Sequence, residues 1–377
     1  MGGGSGGHVT PVVAVLKELR NQDTSVELKF WCDTTFAPQA RAIISDFDAS
    51  IPVETIVSGK LRRYHHLTVW QHLLWPSLLW HNFVDVFKVI GGFIQSVWKL
   101  VWWRPDVVFT KGGYVCLPVG IAAKALGIPL VIHDSDAHPG LTNRVLSRFA
   151  SRIATGAPLE YYSYPPAIAE YVGIPVHEAF RPFTMSEQKK AKRRWGVSQT
   201  RPLVVVTGGG LGARRLNNTT LEVLPKLQQV ASVILVSGEG HYATIRHRIP
   251  HDSESFKLYK FVTNMYDLLG AADVVVTRAG ATTIQELASL KKATILVPNA
   301  ALTGGHQTKN AAVYGDAQVA IVLNEDELVD NPDQLVEAVT QYLDNPKLTH
   351  AMVERFGSFA KPDAAKNVAR LILSSVR

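Results

Sequence analysis

Two glycine-rich segments have the residue types that bind phosphate groups. Residues 2–8 read Gly-Gly-Gly-Ser-Gly-Gly-His, and residues 207–214 read Thr-Gly-Gly-Gly-Leu-Gly-Ala-Arg after a β-branched run. Glycine lets backbone N–H groups reach an anion without interference from a Cβ, and a helix N-terminus adds partial positive charge. One such loop is weak evidence, but two of them indicate two nucleotide-binding halves. We therefore expect a phosphorylated ligand.

A third candidate binding segment lies at residues 277–287. It follows an apolar run and enters a predicted helix whose second turn carries Glu286. This carboxylate could accept hydrogen bonds from a ribose diol, while the N–H groups of Ala281 and Thr282 face phosphate. Thr283 and Glu286 also have the spacing of a capping box, which needs no ligand. The sequence alone leaves both interpretations open.

Several histidines stand in polar loops that could take part in catalysis or binding. His8 could be a general base beside a phosphorylated donor, or it could bond its own helix. His306 and Gln307 could hold a sugar or phosphate, or could form a turn into the next helix. Residues 133–143 hold two histidines and two aspartates. Because their spacing fits no metal template, we expect no bound metal.

Length and composition predict a two-domain globular protein. The chain has 377 residues, which is longer than a single hydrophobic core usually supports. Of these residues 46% are hydrophobic, which is too high a fraction for a disordered chain. Its two cysteines, Cys32 and Cys116, cannot form a disulfide framework or a four-thiolate site, so a reducing cytosol is expected. The net charge of +7 does not by itself choose among nucleic acid, anionic lipid and phosphorylated substrates.

Short apolar runs alternate with helical spacing, which predicts an α/β fold with a doubly wound parallel sheet in each half. The predicted strands are 26–31, 105–110, 128–133, 203–207, 233–237, 273–277 and 293–298. Pro11 is expected in the first turn of the first helix. The predicted divisions are a first domain 1–176, a linker 177–200, a second domain 201–360 and a terminal segment 361–377 that crosses back. The basic run 189–194 is predicted as a solvated helix face.

The first glycine loop has no strand before it. Met1 stands where the last residue of a central strand is expected, and an empty central slot would leave two neighbouring strands unpaired. For that reason we expect a preceding segment of about ten residues. The alternative is a sheet built without its usual first strand.

Residues 60–104 form a basic, tryptophan-rich stretch. It carries six cations against one anion, and it holds six of the eight tryptophans. Residues 64–84 have no formal charge but are too polar to cross a membrane. They are predicted to lie on an anionic membrane surface, and the alternative is an ordinary core. The predicted apolar anchors are Trp75, Leu78, Leu79, Trp80 and Phe83.

Taken together, these segments resemble the MurG family of inverting glycosyltransferases. The motifs that carry the resemblance are 2–11, 112–114, 127–129, 140–143, 208–217, 279–286 and 306–311. The resemblance implies the two-domain GT-B fold, with two Rossmann-like domains facing across a cleft. It also implies transfer of N-acetylglucosamine from its UDP donor to the muramyl 4-hydroxyl of lipid I, giving lipid II in peptidoglycan synthesis, with no cofactor required.

The resemblance further implies a peripheral enzyme on the cytoplasmic face of the cell membrane. Its implied partners are UDP-N-acetylglucosamine, lipid I and an anionic membrane surface, with cell-wall or division machinery as a candidate partner and no nucleic acid. His8 is the implied base, Glu286 would take the ribose, and Val262 would lie along the uracil. Tyr114 and Asn143 would belong to the acceptor side. The implied donor-binding residues are Ser5, Gly6, Gly7, Asp136, His177, Gly210, Val262, Ala281, Thr282, Thr283, Ile284, Gln285, Glu286, His306 and Gln307.

The chain departs from the family pattern at three places. The family usually has Asn where Asp136 stands, Arg where His177 stands, and Ser-Gln where Gly210 and Leu211 stand. Loss of an arginine and a serine removes a fixed cation and a hydroxyl from phosphate recognition, which bears on donor affinity.

Three other functions are compatible with parts of the sequence. A nicotinamide-dependent oxidoreductase would use the spacing Gly2-x-Gly4-x-x-Gly7 with Asp33, but it predicts one cofactor loop rather than two. A UDP-sugar 2-epimerase of related fold should lack a membrane patch. A nucleotide-sugar-binding protein without activity would fit the missing strand and the changes at His177 and Gly210.

Overall fold

The computed structural model describes residues 1–2, 6–60, 75–210, 212–249, 251–300 and 305–376, and for residues 6–10 it describes the backbone without the side chains. The chain divides into two compact units. The first comprises Met1–His177, Ala301–His306 and Lys361–Arg377, and the second comprises Glu178–Ala300 and Gln307–Ala360.

The first unit contains two groups of parallel strands. The strands are β1 (Phe30–Cys32) and β2 (Val53–Thr55), which pair with each other, and β3 (Val108–Thr110), β4 (Leu130–Asp134), β5 (Arg152–Thr155) and β6 (Ala169–Tyr171), which pair in that order. The helices are α1 (Gly6–Gln22), α2 (Ala37–Phe47), α3 (Pro76–Trp103), α4 (Cys116–Ala125), α5 (Leu141–Leu146) and, at the end of the chain, α16 (Ala364–Leu373). Apolar side chains of these helices and strands pack together in two hydrophobic cores.

The first two residues lie between β1 and β3. The amino group of Met1 donates to Phe109 O at 2.8 Å, and Lys111 N donates to Met1 O at 3.0 Å. On the other side, Gly2 N donates to Trp31 O at 3.4 Å. A cavity of about 570 Å³, lined mainly by apolar side chains of α1, β1, α3, β3 and α16, lies beside them.

The second unit is built on a six-stranded parallel sheet in the order β12-β11-β10-β7-β8-β9. Its strands are β7 (Leu203–Thr207), β8 (Ser232–Val236), β9 (Phe256–Tyr259), β10 (Val274–Thr277), β11 (Ala293–Leu296) and β12 (Ile321–Val322). Its helices are α6 (Met185–Arg194), α7 (Arg214–Glu222), α8 (Leu224–Val230), α9 (Glu239–Arg248), α10 (Met265–Ala271), α11 (Ala281–Leu290), α12 (His306–Asp316, whose first residue is grouped with the first unit), α13 (Glu325–Asp330), α14 (Asp333–Asp344) and α15 (Pro346–Gly357).

The central strands of this sheet are buried on both faces. Every residue of β7, β8 and β10 is buried, which explains their predominantly apolar, β-branched-rich sequences. The chain runs from β7 to β8 on one side, and β10 pairs with β7 on the other side. The strand order therefore reverses at β7, where a doubly wound sheet opens its binding crevice.

The predicted α/β fold class is confirmed, with several local differences. Of the predicted strand 26–31, residues 30 and 31 are strand, and the strand continues to Cys32. Pro11 lies inside α1 rather than in its first turn, because the helix already begins at Gly6. The stretch predicted as a linker contains α6, which belongs to the second unit.

The prediction of a solvated face for the basic run 189–194 is wrong at one position. Lys192 is buried, its Nζ donates to Asp273 Oδ2 at 2.6 Å, and it also donates to Arg201 O at 2.9 Å. Lys189 and Lys190 are exposed. A count of charges cannot distinguish the inward position from its neighbours, because that depends on where the sheet lies.

Candidate functional site

The loops of the second unit that follow β7, β10 and β8 meet at one edge of the sheet. Thr207, Thr277 and Val236 occupy the same register at the carboxyl ends of three neighbouring strands. The glycine loop 208–213 and the segment 278–281 therefore start side by side. The structure thus brings together two of the segments that the sequence analysis identified as candidate binding loops. They are about seventy residues apart in the sequence, because neighbouring parallel strands are joined by long crossover connections.

The glycine loop after β7 contains positions that only glycine can occupy without strain. A Cβ on Gly208 would lie 2.3 Å from Ala213 N, and one on Gly212 would lie 2.2 Å from Ser237 O. Gly209 and Gly212 have φ values of +77° and +76°, in the left-handed region. These close approaches explain the glycines by backbone packing, and they place backbone N–H groups at the strand end.

Helix α11 begins without a side-chain cap. Its N-cap is Gly280, and no side chain bonds its first turn. Thr283 is the third residue of the helix, so it cannot be the N-cap of a capping box with Glu286. The capping-box interpretation is therefore wrong, and the N–H groups of Ala281 and Thr282 are left for a ligand or water.

Glu286 lies in the second turn of α11 and is half-buried. Among the described residues its carboxylate has no hydrogen-bond partner, and burial raises its pKa to about 8. A carboxylate that is partly shielded from water and not paired costs free energy unless a ligand donates to it. This arrangement favours an acceptor role toward a hydroxyl-bearing ligand.

The loop that leads into α11 is fixed by residues that the sequence analysis did not single out. Arg278 is buried, donates to Val297 O at 3.0 Å and pairs with Glu325. Asn310 Nδ2 donates to Ala279 O at 3.1 Å. The position of Arg278 directly after a buried strand is a signal that could have been used, because an arginine there must find partners within the fold.

The remaining donor-side candidates have mixed environments. Gln307 Oε1 accepts from Asn299 N at 2.9 Å, so in this structure its oxygen holds the chain after β11. Val262 lies three residues after the end of β9 and is buried, with 6% of its surface exposed. Gln285 Nε2 donates to Phe359 O at 2.8 Å, so the side-chain amide of Gln285 links α11 to the chain that follows α15. Ile284 is fully buried, while Thr282 and His306 are half-buried.

In the first unit, a cavity of about 240 Å³ opens at the carboxyl ends of β3 and β4. Tyr114 and Asn143, both predicted on the acceptor side, line it together with Asp136. Gly112 and Gly113 have φ values of +87° and +89°, so the chain turns sharply after β3. A Cβ on Gly112 would lie 3.3 Å from Asn143 Nδ2, and this close approach joins the two loops of the cavity.

Asp134 is the buried carboxyl of this cavity. The Tyr164 hydroxyl donates to its Oδ2 at 2.7 Å, and burial raises its pKa to about 7. The Tyr114 hydroxyl bonds the Asp33 side chain, and burial together with this carboxylate raises the pKa of Tyr114. His133 is fully buried and bonds Gly173 O at 2.8 Å, so its role is to fix the fold behind the cavity.

Helix α3 has an exposed face that is almost wholly apolar. The exposed side chains include Trp80, Phe83, Phe87, Ile90, Ile94, Trp98 and Trp102, spaced three or four residues apart along one stripe. Trp75 and Leu79 are also exposed, as predicted, whereas Leu78 is 5% exposed. The prediction of Leu78 as a membrane anchor is therefore wrong, because the side chain points into the core beneath the helix.

Some predicted site residues lie outside the described structure. Ser5 lies outside the described residues, and the side chain of His8 is not described, although Gly6, Gly7 and His8 belong to the backbone of α1. Within the described ranges, no three His, Cys, Asp or Glu side chains group as metal ligands, and the expectation about metals stays a prediction. No helix in the described part of the chain is both long and apolar enough to span a membrane.

Comparison with known proteins adds the family. Residues 1–155 match the N-terminal domain of glycosyltransferase family 28, and residues 203–368 match its C-terminal domain. The UDP-N-acetylglucosamine–N-acetylmuramyl-(pentapeptide) pyrophosphoryl-undecaprenol N-acetylglucosamine transferase of Halalkalibacterium halodurans is 30% identical, over 98% of this chain and 97% of the relative. The crystal structure of MurG from Acinetobacter baumannii has a TM-score of 0.73 at 25% identity, over 99% of this chain and 98% of that chain.

The chain belongs to the MurG family of glycosyltransferases. The predicted family, the two-domain fold and the transferase class are thereby confirmed. The crystal structure of UDP-N-acetylglucosamine 2-epimerase from Neisseria meningitidis, bound to UDP-N-acetylglucosamine, has a TM-score of 0.66 at 13% identity, over 99% of this chain and 98% of that chain. This second likeness shows a common fold and carries nothing about activity.

The positions where the chain departs from the usual MurG-family pattern have identifiable surroundings. Gly210 has no atom within 4 Å of where a Cβ would stand, so packing does not require a glycine there. His177 is exposed at the end of the first unit. Asp136 is half-buried and lines the first-unit cavity with Tyr114 and Asn143. Lack of space therefore does not explain the glycine at position 210.

Proposed function

We propose that this chain transfers N-acetylglucosamine from UDP-N-acetylglucosamine to the muramyl 4-hydroxyl of lipid I, giving lipid II. The observation that carries the proposal is the uncapped N-terminus of α11 with the unpaired Glu286 one turn further on, in a chain of the MurG family. The relative from Halalkalibacterium halodurans is named as a transferase of N-acetylglucosamine to a pyrophosphoryl-undecaprenol acceptor.

The donor is proposed to bind at the crevice after β7 and β10. The N–H groups of Ala281 and Thr282 would face the diphosphate, because an uncapped helix N-terminus attracts an anion. Glu286 would accept from the ribose diol. Gly208, Gly209 and Gly210 leave room for the sugar diphosphate at the neighbouring strand end.

The reaction is proposed as a single in-line displacement. The acceptor hydroxyl attacks the anomeric carbon, its proton passes to His8, and the bond to UDP breaks with inversion. The dipole and N–H groups of α11 would stabilise the charge that develops on UDP. We propose that no bound metal or cofactor is needed, since these groups supply the stabilisation that a cation would otherwise give.

The membrane face is proposed to be the exposed stripe of α3. Its 28 residues span about 42 Å at the rise of an α-helix. In this stripe the exposed side chains are predominantly apolar, and Lys88 is an exposed cation beside it. Such a helix is suited to lie in the interface of an anionic bilayer, with its apolar side among the acyl chains. The enzyme would then be peripheral on the cytoplasmic face.

The proposed function is tested by UDP release from UDP-N-acetylglucosamine, with and without a short-chain lipid I analogue in detergent. We expect release that depends on the acceptor, together with the disaccharide product. Release without acceptor, with epimerised sugar, would instead support the 2-epimerase reaction. Binding of UDP without release in either condition would support a binding protein without activity.

The role of His8 has its own test. Replacement His8→Ala should lower turnover at least about a hundredfold with little change in UDP affinity, because a general base lowers the barrier rather than holding the donor. Turnover and UDP affinity are measured on the same preparation. Near-normal turnover would remove His8 from the mechanism.

A further inference from the structure

Lys111 is a buried charge that the proposed mechanism does not use. It follows β3 directly, its side chain is 2% exposed, and its Nζ donates to Ser135 Oγ. An ammonium this deep is costly unless it is bonded and balanced by negative charge. Burial lowers the pKa of Lys111 to about 8, and Asp136 and Asp134 oppose that effect. Its hydrogen-bond partner is Ser135, directly after β4, and the two carboxyl groups belong to the residues on either side of Ser135 in the sequence.

The segment 134–136 is held on two sides. The Tyr164 hydroxyl donates to Asp134 Oδ2, and the Tyr162 hydroxyl donates to Asp136 O, both at 2.7 Å. The two tyrosine rings stack with centroids 5.4 Å apart. Lys111 bonds the same segment at Ser135. A loop fixed in this way presents its side chains in one geometry.

The side chains that this loop presents to the cavity are polar and not basic. Ser135 and Asp136 are half-buried and line the cavity of about 240 Å³ with Tyr114 and Asn143. Among the described residues that line it, Lys111 is the one lysine or arginine, and its ammonium is already bonded. The ammonium of Lys111 is bonded to Ser135, so among the described lining residues it is not left to pair with a diphosphate, while hydroxyl and amide groups would find acceptors in the two carboxyl groups and Ser135.

We propose that Lys111 is a positioning residue, which fixes Ser135 and balances the charge of Asp136. The loop held in this way receives a hydroxyl- or amide-bearing part of the acceptor. The diphosphate of the acceptor binds elsewhere. The inference rests on the proposed transferase function. The cavity is smaller than the roughly 300 Å³ at which sites for drug-sized ligands begin, so it admits one ring or headgroup of a larger acceptor.

The test is a double-mutant cycle on full-length protein with K111M, D136N and the double variant. We expect K111M to raise the KM for the lipid I analogue about tenfold or more, while kcat and UDP affinity stay within about twofold, as for a group that acts on acceptor binding. When Asp136 is already Asn, adding K111M should raise KM by clearly less than it does in the wild-type background, since the charge to be balanced is gone and only the bond to Ser135 is lost. The matched control is K124M, which removes an exposed lysine at the end of α4.

Several results would overturn the inference. They are an equal effect of K111M in both backgrounds, an effect on kcat rather than KM, and an effect on UDP affinity. If K111M folds poorly, K111R should keep the acceptor KM within about threefold of wild type, because the charge is retained. Loss of acceptor binding in a folded K111R variant would contradict the proposal that the positive charge at position 111 is what acceptor binding requires.

A second readout separates this inference from the transferase proposal. The thermal unfolding midpoint of K111M should fall, and adding D136N should recover at least half of the loss. If wild type shows no acceptor-dependent release, the proposed function fails, and the unfolding cycle still tests the coupling of Lys111 to Asp136. If wild type is active but the unfolding effects simply add, the inference fails and the function stands.

Discussion

Glu286 shows how one residue acquires a functional interpretation from its local geometry. Its sequence spacing from Thr283 suits a capping box, but the helix begins at Ala281, and the pair is out of position for capping. What remains is a half-buried carboxyl without a partner among the described residues. A fold tolerates such a group when a ligand completes its hydrogen bonds.

Replacement Glu286→Ala should weaken UDP binding by about 1.5 to 3 kcal/mol, the range for a hydrogen bond to a charged group. The carboxyl is charged in the complex because donation from the ribose diol stabilises its ionised form. Calorimetric titration with UDP measures the change. The matched control is Glu337→Ala, which removes an exposed glutamate from α14 in the same unit. Equal affinity of the Glu286 variant and wild type would remove Glu286 from donor binding.

The raised pKa of Glu286 also predicts a pH dependence of stability without nucleotide. Its pKa is about 8 in the folded protein against an ordinary 4.5, so between these values the folded state keeps a proton that the unfolded state has released. The free energy of unfolding must then fall as the pH rises from about 5 to 8, and level off above 8. The difference in unfolding midpoint between wild type and Glu286→Gln isolates this contribution. A difference that does not vary with pH over this range would contradict a protonated carboxyl at Glu286 in the folded protein.

At the scale of elements, α6 is joined to the sheet of the second unit through one carboxylate. Asp273 accepts from Lys192 Nζ at 2.6 Å, from Leu203 N at 2.7 Å and from Gln188 Nε2 at 3.0 Å. These bonds connect the helix, the first residue of β7 and the residue before β10. The helix is thus part of the unit that holds the candidate donor crevice.

Replacement Asp273→Ala should lower the free energy of unfolding by about 3 to 5 kcal/mol, because it leaves the buried Lys192 charge without its partner. Lys190→Met, two residues away on the exposed side of α6, should change it by less than about 0.5 kcal/mol. Denaturant unfolding of both variants gives the comparison. Equal small effects would mean that α6 is a solvated linker, as its charge run suggests.

The sequence predicts the elements around the sheet centres well and the edges less well. The strand 203–207 is predicted at its observed bounds, because a run of buried β-branched residues between polar turns allows little choice. The strand 26–31 is placed too early, because alternation in Val26-Glu-Leu-Lys-Phe-Trp31 does not show where pairing with β2 begins. Lys192 and Arg278 were not anticipated as buried cations, because their partners are distant in sequence.

At the scale of the whole molecule, the net charge of +7 and the exposed face of α3 act together. Apolar contact with the lipid prolongs the time that the protein stays bound, and excess positive charge attracts the protein to an anionic surface. Neither feature belongs to a single residue. Binding should therefore depend on both lipid charge and salt.

Trp80→Glu should reduce binding to vesicles that contain anionic lipid by about tenfold, since a charge replaces a large apolar side chain at the interface. Binding of wild type should fall as salt rises from 50 to about 500 mM, because screening shortens the reach of surface charges. Met185→Glu is the control, since it places the same charge on an exposed apolar position of the second unit. Co-sedimentation measures both, and an equal loss in the two variants would exclude a specific role for α3.

The stripe on α3 also makes the protein its own optical reporter. Trp75, Trp80, Trp98 and Trp102 are exposed on or beside this helix, whereas Trp31 is buried. Indole emission moves to shorter wavelength when water around the ring is replaced by hydrocarbon. Emission from these four indoles will therefore change when this helix is covered, over a background from the other tryptophans, which include buried Trp31. Arrival at a lipid surface can be followed in real time without attaching a dye, and a single Trp→Phe replacement at each position would map how deep that part of the helix sits.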